Sequence, residues 1–240
     1  MASRNQDDRY LTDEYVSQNP TWDEQDSPWK AVQVNKILKA NNLCPNSIVE
    51  VGCGAGGILS ELRYLLGLGV LLDGFDIAPA ASEFWGKHKS NNVNFYLEDF
   101  LESPKSEYDL LLLMDVVEHL ENPFDFLRRL QDRSTWFVLH IPLDISAQAV
   151  LRKKPLPFAR KKVGHIHSYN KDIALMLLDE CGYKVCDWFY TASSIDLPNK
   201  PLSAKLMSIP RRLLFRIAPD FSVRLLGGYS LMVLANKKKI

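Results

Sequence analysis

Residues 47–66 read SIVEVGCGAGGILSELRYLL. A short apolar run leads into four glycines within six positions, Gly52, Gly54, Gly56 and Gly57, and these lead into a helical pattern. No other stretch constrains the fold as strongly. Glycine turns the chain sharply through positive φ and lets a ligand come close to the backbone. The start of the following helix presents backbone N–H groups. The stretch predicts a buried strand, a tight turn that cradles a nucleotide-like ligand, and a helix.

The alternation continues along the chain. Strands are expected at 47–52, 70–77, 93–99, 108–116, 136–142, 183–192 and 229–237. Helices are expected at 57–66, 78–89, 122–132 and 170–182, the last stopping at Gly182. YDLLLLMDV (108–116) is almost wholly apolar, as in the middle of a parallel sheet. Upstream, Ser27 reads as an N-cap and Pro28 as the first residue of a helix to about Asn41, with Trp29, Val32, Ile37 and Leu38 on one face. Alternating elements imply an α/β fold: a doubly wound, mostly parallel, seven-stranded Rossmann-like sheet. The last two strands lack an ordinary crossover, which predicts a terminal antiparallel pair with residues 193–228 inserted as helical cover. One domain is expected at 45–240, preceded by a lid segment and helix at 1–44.

Composition narrows the setting. Of 240 residues, 46% are hydrophobic and 24% charged, and the net charge is zero. This balance and the lack of a recognition module argue against a nucleic-acid partner. Cys44, Cys53, Cys181 and Cys186 form no CxxC pair and no disulfide framework, so free thiols in a reducing compartment and no metal are expected. The N-terminus lacks an apolar signal core, and Asp109 and Asp115 interrupt the longest apolar run. The expectation is a cytoplasmic protein.

The glycines fit two ligand templates. Gly52, Gly54 and Gly57 satisfy the dinucleotide fingerprint G-x-G-x-x-G. Glu50 with Gly52, Gly54 and Gly56 satisfies E-x-G-x-G-x-G, a pattern of S-adenosylmethionine-binding enzymes. Asp76, 24 residues after Gly52 at the end of the second strand, suits the ribose of either ligand, and mid-strand Asp73 suits it less. Glu50 tilts the choice. A carboxylate before the turn repels a pyrophosphate and suits an ammonium and a sulfonium.

These motifs and their order resemble class I S-adenosylmethionine-dependent methyltransferases, in the broad group that includes the ubiquinone-biosynthesis O-methyltransferases. EVGCGAGG, GFDIAP, LEDF, YDLLLLMDVVEHLENP and GHIHSYNKDIALMLLDECGY carry the likeness over roughly residues 45–190. The resemblance implies that S-adenosylmethionine is the cofactor, with S-adenosylhomocysteine as product. It implies that Glu50 and the Gly52, Cys53, Gly54 and Gly56 backbone hold the methionine part. It gives Asp76 the ribose, Ile77 packing on the adenine, Asp99 the adenine amino group and Phe100 a backbone or stacking contact. Asp115 and Val116 line the methionine side. Singly, Asp99 reads equally well as a helix cap and Phe100 as a core residue.

Methyl transfer to a hydroxyl needs a base, and His119, His165 and His167 follow strands four and five at the carboxyl end of the sheet. Each reads equally as a loop brace. His140 reads as a packed core residue and His88 as solvent-facing. RKKPLPFARKK (152–162) and the segment 200–226 are basic, and the latter interleaves apolar residues with Lys200, Lys205, Arg211, Arg212, Arg216 and Arg224. Three readings stand: a solvated cover, recognition of an anionic small-molecule acceptor, or peripheral contact of 200–226 with an anionic membrane near a lipid-like substrate. The acidic residues Asp7, Asp8, Asp13, Glu14, Asp23, Glu24 and Asp26, with Tyr10, Tyr15 and Trp22, read as a lid over the site. An NAD(P)-dependent oxidoreductase and a non-catalytic cofactor-binding protein are the alternatives.

Overall fold

The structure is a computed structural model that describes residue 10, residue 17 and residues 19–104, 107–197 and 211–238. Of the lid and basic segments, Tyr15, Asp7, Asp8, Asp13, Glu14, Lys200 and Lys205 lie outside the described residues. The strands are β1 (Ser47–Val51), β2 (Leu71–Asp76), β3 (Val93–Leu97), β4 (Tyr108–Met114), β5 (Ser134–Leu143), β6 (Tyr183–Thr191) and β7 (Tyr229–Lys237). They form one sheet in the order β3-β2-β1-β4-β5-β7-β6. β7 runs antiparallel between β5 and β6, and the other neighbouring pairs are parallel. The expected doubly wound sheet and its terminal antiparallel pair are both present.

The order reverses between β1 and β4, where an open α/β sheet leaves a crevice at its carboxyl edge. The glycine turn sits at that point. α1 (Ser27–Ala40) and α2 (Gly57–Leu66) cover one face, burying Val34, Ile37, Ile58 and Leu62. α3 (Pro123–Leu130) and α5 (Lys171–Glu180) cover the other, burying Leu127, Leu130, Leu177 and Leu178. Their starts follow the sequence: Asn122 Oδ1 accepts from Asp125 N at 3.1 Å, and Asn170 Oδ1 from Ile173 N at 2.9 Å. Between them α4 (Ala147–Arg152) follows β5, and α6 (Pro219–Leu226) precedes β7.

Three expectations need correction. Ser27 lies inside α1 and not at its cap, because the turn Glu24–Asp26 runs straight into the helix. The buried face of α1 is Ala31, Val34, Ile37 and Leu38, while Val32 is exposed and Trp29 turns to the crevice. The expected helix at 78–89 is broken into Pro79–Ser82 and Trp85–Lys87. There Trp85 folds inward, stacks on Phe95 and donates its indole N–H to the Gly54 carbonyl at 2.8 Å.

Candidate active site

A cavity of about 580 Å³ opens at the carboxyl ends of β1, β2, β4 and β5. Its size falls within the ~300–1,000 Å³ of small-molecule sites. The glycine turn forms its floor. Gly52 has φ +74°, and a Cβ there would lie 2.7 Å from Val116 Cγ2. A side chain at this position meets both a strained backbone and a filled space. The N–H groups of Gly52 and Cys53 both donate to the Phe75 carbonyl, at 2.8 and 3.0 Å, and that of Gly56 to the Cys53 carbonyl at 2.9 Å. Gly54 N–H donates to Asp76 Oδ2 at 2.8 Å. The turn thus offers a ligand close approach, with these four donors already bonded within the protein.

Burial and charge dominate the chemistry at the end of β1. Glu50 is 1% exposed, and its Oε2 meets no hydrogen-bond donor. Burial, reinforced by the Asp76 and Asp115 charges and opposed by Lys30, pushes its carboxyl up to about 8. Lys30 reaches over from α1 and pairs with Asp115 Oδ2 at 2.7 Å. Asp115 Oδ1 lies 2.6 Å from His140 Nδ1, and His140 Nε2 lies 2.8 Å from Thr191 Oγ1. Burial alone would raise Asp115, but His140 and Lys30 together hold its carboxyl far below the usual range. Burial alone would lower Lys30, but the Asp115 charge holds it above its ordinary value. Lys30 and Asp115 are thereby kept charged beside a Glu50 that lacks a close partner.

Asp76, at the end of β2, is buried and also accepts from Ala78 N at 2.9 Å. Burial raises its carboxyl against the backbone donors that lower it. Ile77, Asp99, Phe100 and Val116 all line the cavity, as do Cys53 and Gly56. Asp99 is exposed and its Oδ1 accepts from Leu101 N at 2.8 Å, bracing a turn where no helix follows. Phe100 is buried edge-on to Phe75, with ring centroids 4.9 Å apart. Asp73 has a packing role, accepting from the Tyr108 hydroxyl and from Asn94 Nδ2.

On the far side the structure brings His119 and His165 together, with ring centroids 5.0 Å apart. Glu118 lies beneath them, fully buried, with Oε1 at 3.8 Å from His119 Nε2 and 3.9 Å from His165 Nε2. Neither carboxylate oxygen of Glu118 meets a hydrogen-bond donor. Burial, then the Asp115 charge, pushes its carboxyl well above the ordinary value. His165 Nδ1 lies 2.7 Å from Asp144 Oδ2, and His119 Nδ1 lies 2.8 Å from the Tyr10 hydroxyl. Ligand atoms of Glu118, His119 and His165 fall within 4.8 Å of one another, a set able to share a proton or hold a cation. His167 stands apart from the cavity lining, with its backbone N–H bonded to the Glu118 carbonyl at 3.0 Å. His140 is packed and bonded as expected, yet it also lines the cavity. His88 is not simply solvent-facing, since its Nε2 lies 2.7 Å from Glu24 Oε1. Tyr10 and Trp22 line the cavity, with Trp22 standing over Gly54.

Sequence reading misses Lys30, Glu118, Asp144 and Thr191. Glu118 had a visible signal, a carboxylate beside His119 at the end of an apolar strand. The others meet the site only through the packing of α1 and the pairing of β4, β5, β7 and β6.

A Rossmann-like sheet with a glycine turn, an acidic β2 end and an acidic β4 end defines a nucleoside-cofactor protein of the doubly wound class. The family model described as "Methyltransferase domain" matches residues 22–187, and the chain belongs to that family. It is 32% identical over 112 residues to a ubiquinone biosynthesis O-methyltransferase of Glaesserella parasuis, covering 42% of this chain and 45% of that one. It is 37% identical over 93 residues to the mitochondrial ubiquinone biosynthesis O-methyltransferase of Schizosaccharomyces pombe, covering 36% and 33%. The chain thus spans less than half the length of these two relatives. Among solved structures it resembles the plantazolicin methyltransferase BpumL in complex with a monoazolic desmethylPZN analog and SAH, with TM-score 0.62, 18% identity and 98% and 96% coverage. It also resembles the magnesium protoporphyrin IX methyltransferase of Synechocystis with bound SAH, with TM-score 0.58, 16% identity and 100% and 90% coverage. At these identities the likeness is one of fold.

Proposed function

We propose that the chain transfers a methyl group from S-adenosylmethionine to a small hydroxyl-bearing acceptor, giving S-adenosylhomocysteine. The observation that carries the reading is Glu50, a buried carboxylate at the end of β1 whose Oε2 has no donor. An unpaired polar atom in such a place is costly unless a ligand completes it. An ammonium group does so, and a pyrophosphate does not. The bonded N–H groups of Gly52, Cys53, Gly54 and Gly56 also disfavour a pyrophosphate at this turn.

When bound, the cofactor supplies a methyl group on a sulfonium centre, already activated for in-line displacement. Glu50 binds its ammonium, and Lys30, held by Asp115, borders the same end of the cavity. Asp76 accepts from the ribose hydroxyls, with Gly54 and Ala78 N–H groups fixing its orientation. Ile77, Asp99 and Phe100 surround the adenine, and Asp115 and Val116 border the methionine side. His165 is the base best placed by its neighbours: Asp144 fixes Nδ1, leaving Nε2 to take the acceptor's proton. His119 stands beside it and orients the acceptor. Tyr10 and Trp22 close the cavity against water as part of a lid. A cytoplasmic location belongs to the same reading, supported by four cysteines that are all unpaired. The test is a screen of hydroxylated, amine and carboxylate acceptors read by S-adenosylhomocysteine release. Turnover of hydroxylated compounds supports the reading, and turnover of amines alone refutes the hydroxyl assignment.

A further inference from the structure

Asp115 closes β4 in a backbone conformation that is not relaxed. Its φ is +60°, in the left-handed region that a residue with a side chain occupies at a cost. Such a conformation persists where the surroundings fix it from several sides. His140 fixes it twice. The His140 carbonyl accepts from the Asp115 N–H at 3.0 Å, and His140 Nδ1 lies 2.6 Å from Asp115 Oδ1. An ionised carboxylate has no hydrogen to give, so Nδ1 donates in this contact. Lys30 takes the other oxygen, Oδ2, at 2.7 Å. The imidazole is therefore one of the two supports on which the Asp115 charge rests.

That support needs its own anchor. An imidazole turned half-way round on its side-chain bond would set a carbon where Nδ1 now stands. Trp29 packs edge-on against the ring, with centroids 6.1 Å apart and planes at 79°. Such a contact holds the plane of the ring but not which way round it stands. Hydrogen bonds at the nitrogens set that, and the second of them comes from Thr191. Its Oγ1 lies 2.8 Å from His140 Nε2, and a hydroxyl can give or take the hydrogen there. Thr191 is the last residue of β6 and is buried. β7 lies between β6 and β5, so the contact crosses a whole strand. Valine would fill nearly the same space but would leave Nε2 without this partner in the interior, a costly arrangement. His140 and Asp115 line the cavity, whereas Thr191 is outside its lining.

We infer that Thr191 is a positioning residue for cofactor binding: its hydroxyl fixes which way round the His140 ring stands, and the ring holds the Asp115 carboxylate at the methionine side of the cavity. The identity of the ligand rests on the methyl-transfer reading, while the anchoring of the ring does not.

The experiment compares the full chain with its Thr191→Val and Thr191→Ser variants. Titration calorimetry with S-adenosylhomocysteine reads binding, and proton NMR of the imidazole N–H groups reads the ring. The His140 signal is assigned by its absence in His140→Gln. Thr191→Val should raise the Kd on the order of 3- to 10-fold, the worth of one ordinary hydrogen bond. It should also shift or abolish the His140 Nδ1–H signal. Thr191→Ser, which keeps the hydroxyl, should restore both. In an Asp115→Asn background Thr191→Val should weaken binding no further, because the charge it positions is already gone. Thermal melting reports that each variant stays folded. A lower melting temperature with an unchanged Kd would reduce Thr191 to a structural role and overturn the proposal. Equal losses in the valine and serine variants would overturn it too, as would an unchanged imidazole signal in Thr191→Val. Absence of binding by the wild type would refute the methyl-transfer reading instead, and the imidazole signal would then still decide the anchor.

Discussion

Replacing Glu50 by glutamine tests the chemistry of the β1 end in two opposed directions. In the folded protein the Glu50 carboxyl ionises near 8, and in the unfolded chain near its ordinary 4.5. Between those values the unfolded chain releases the proton first, so this group's contribution to stability falls as pH rises. At one pKa unit per ~1.4 kcal/mol, the full loss is on the order of 3–5 kcal/mol. Glutamine keeps the shape and has no proton to lose. The ligand-free Glu50→Gln protein should therefore gain on the wild type steadily from about pH 5 to about pH 9. Cofactor binding should move the other way. A hydrogen bond to a charged group contributes about 1.5–3 kcal/mol, so the S-adenosylmethionine Kd should rise roughly 10- to 150-fold. Urea unfolding across pH and titration calorimetry read the two effects. A stability difference that stays flat with pH refutes the buried, high-pKa carboxyl. An unchanged Kd refutes the ammonium contact.

Three further outcomes follow from the same geometry. Lys30→Met leaves Asp115 with His140 alone and should cost about 3–5 kcal/mol in urea unfolding, as expected when one partner of a buried pair is removed. Unchanged stability contradicts the pairing. His165→Asn should lower kcat by about 10²–10⁴-fold with S-adenosylhomocysteine affinity unchanged, whereas His167→Asn, outside the cavity lining, should keep kcat. Full turnover by the His165 variant removes it as the base. Gly52→Ala should lose about 1–2 kcal/mol from backbone strain alone, and more from the 2.7 Å contact with Val116. Adding Val116→Ala should recover the contact part only, so complete recovery contradicts the backbone strain.

The parts of the site that lie next to strand ends were legible in the sequence, because a strand end fixes where the next residue stands. Glu50 and Asp76 came from this logic and Asp115 from the family resemblance, and all three line one cavity. The sheet class was legible from the alternation of apolar strands and helices. Lys30 was not, because it arrives from α1, twenty residues upstream of Glu50, and nothing local marks which helix face turns to the crevice. The pairing of Asp144 with His165 depends on where the chain returns after α4, which periodicity does not encode. Residues 78–89 kept a helical pattern on paper, but the helix breaks where Trp85 buries its ring on Phe95 and bonds Gly54. Cys53 and Phe100 read as ligand contacts also serve as core, so sequence alone could not separate those roles.

The central claim is that the glycine turn and Glu50 serve a sulfonium amino-acid nucleoside and not a dinucleotide. Titration calorimetry of the full chain with S-adenosylmethionine, S-adenosylhomocysteine and NAD+ tests it directly. Saturable binding of the first two at one site, weakened roughly 10- to 150-fold in Glu50→Gln, with no heat from NAD+, is the predicted result. Binding of NAD+ without either adenosyl ligand would contradict it.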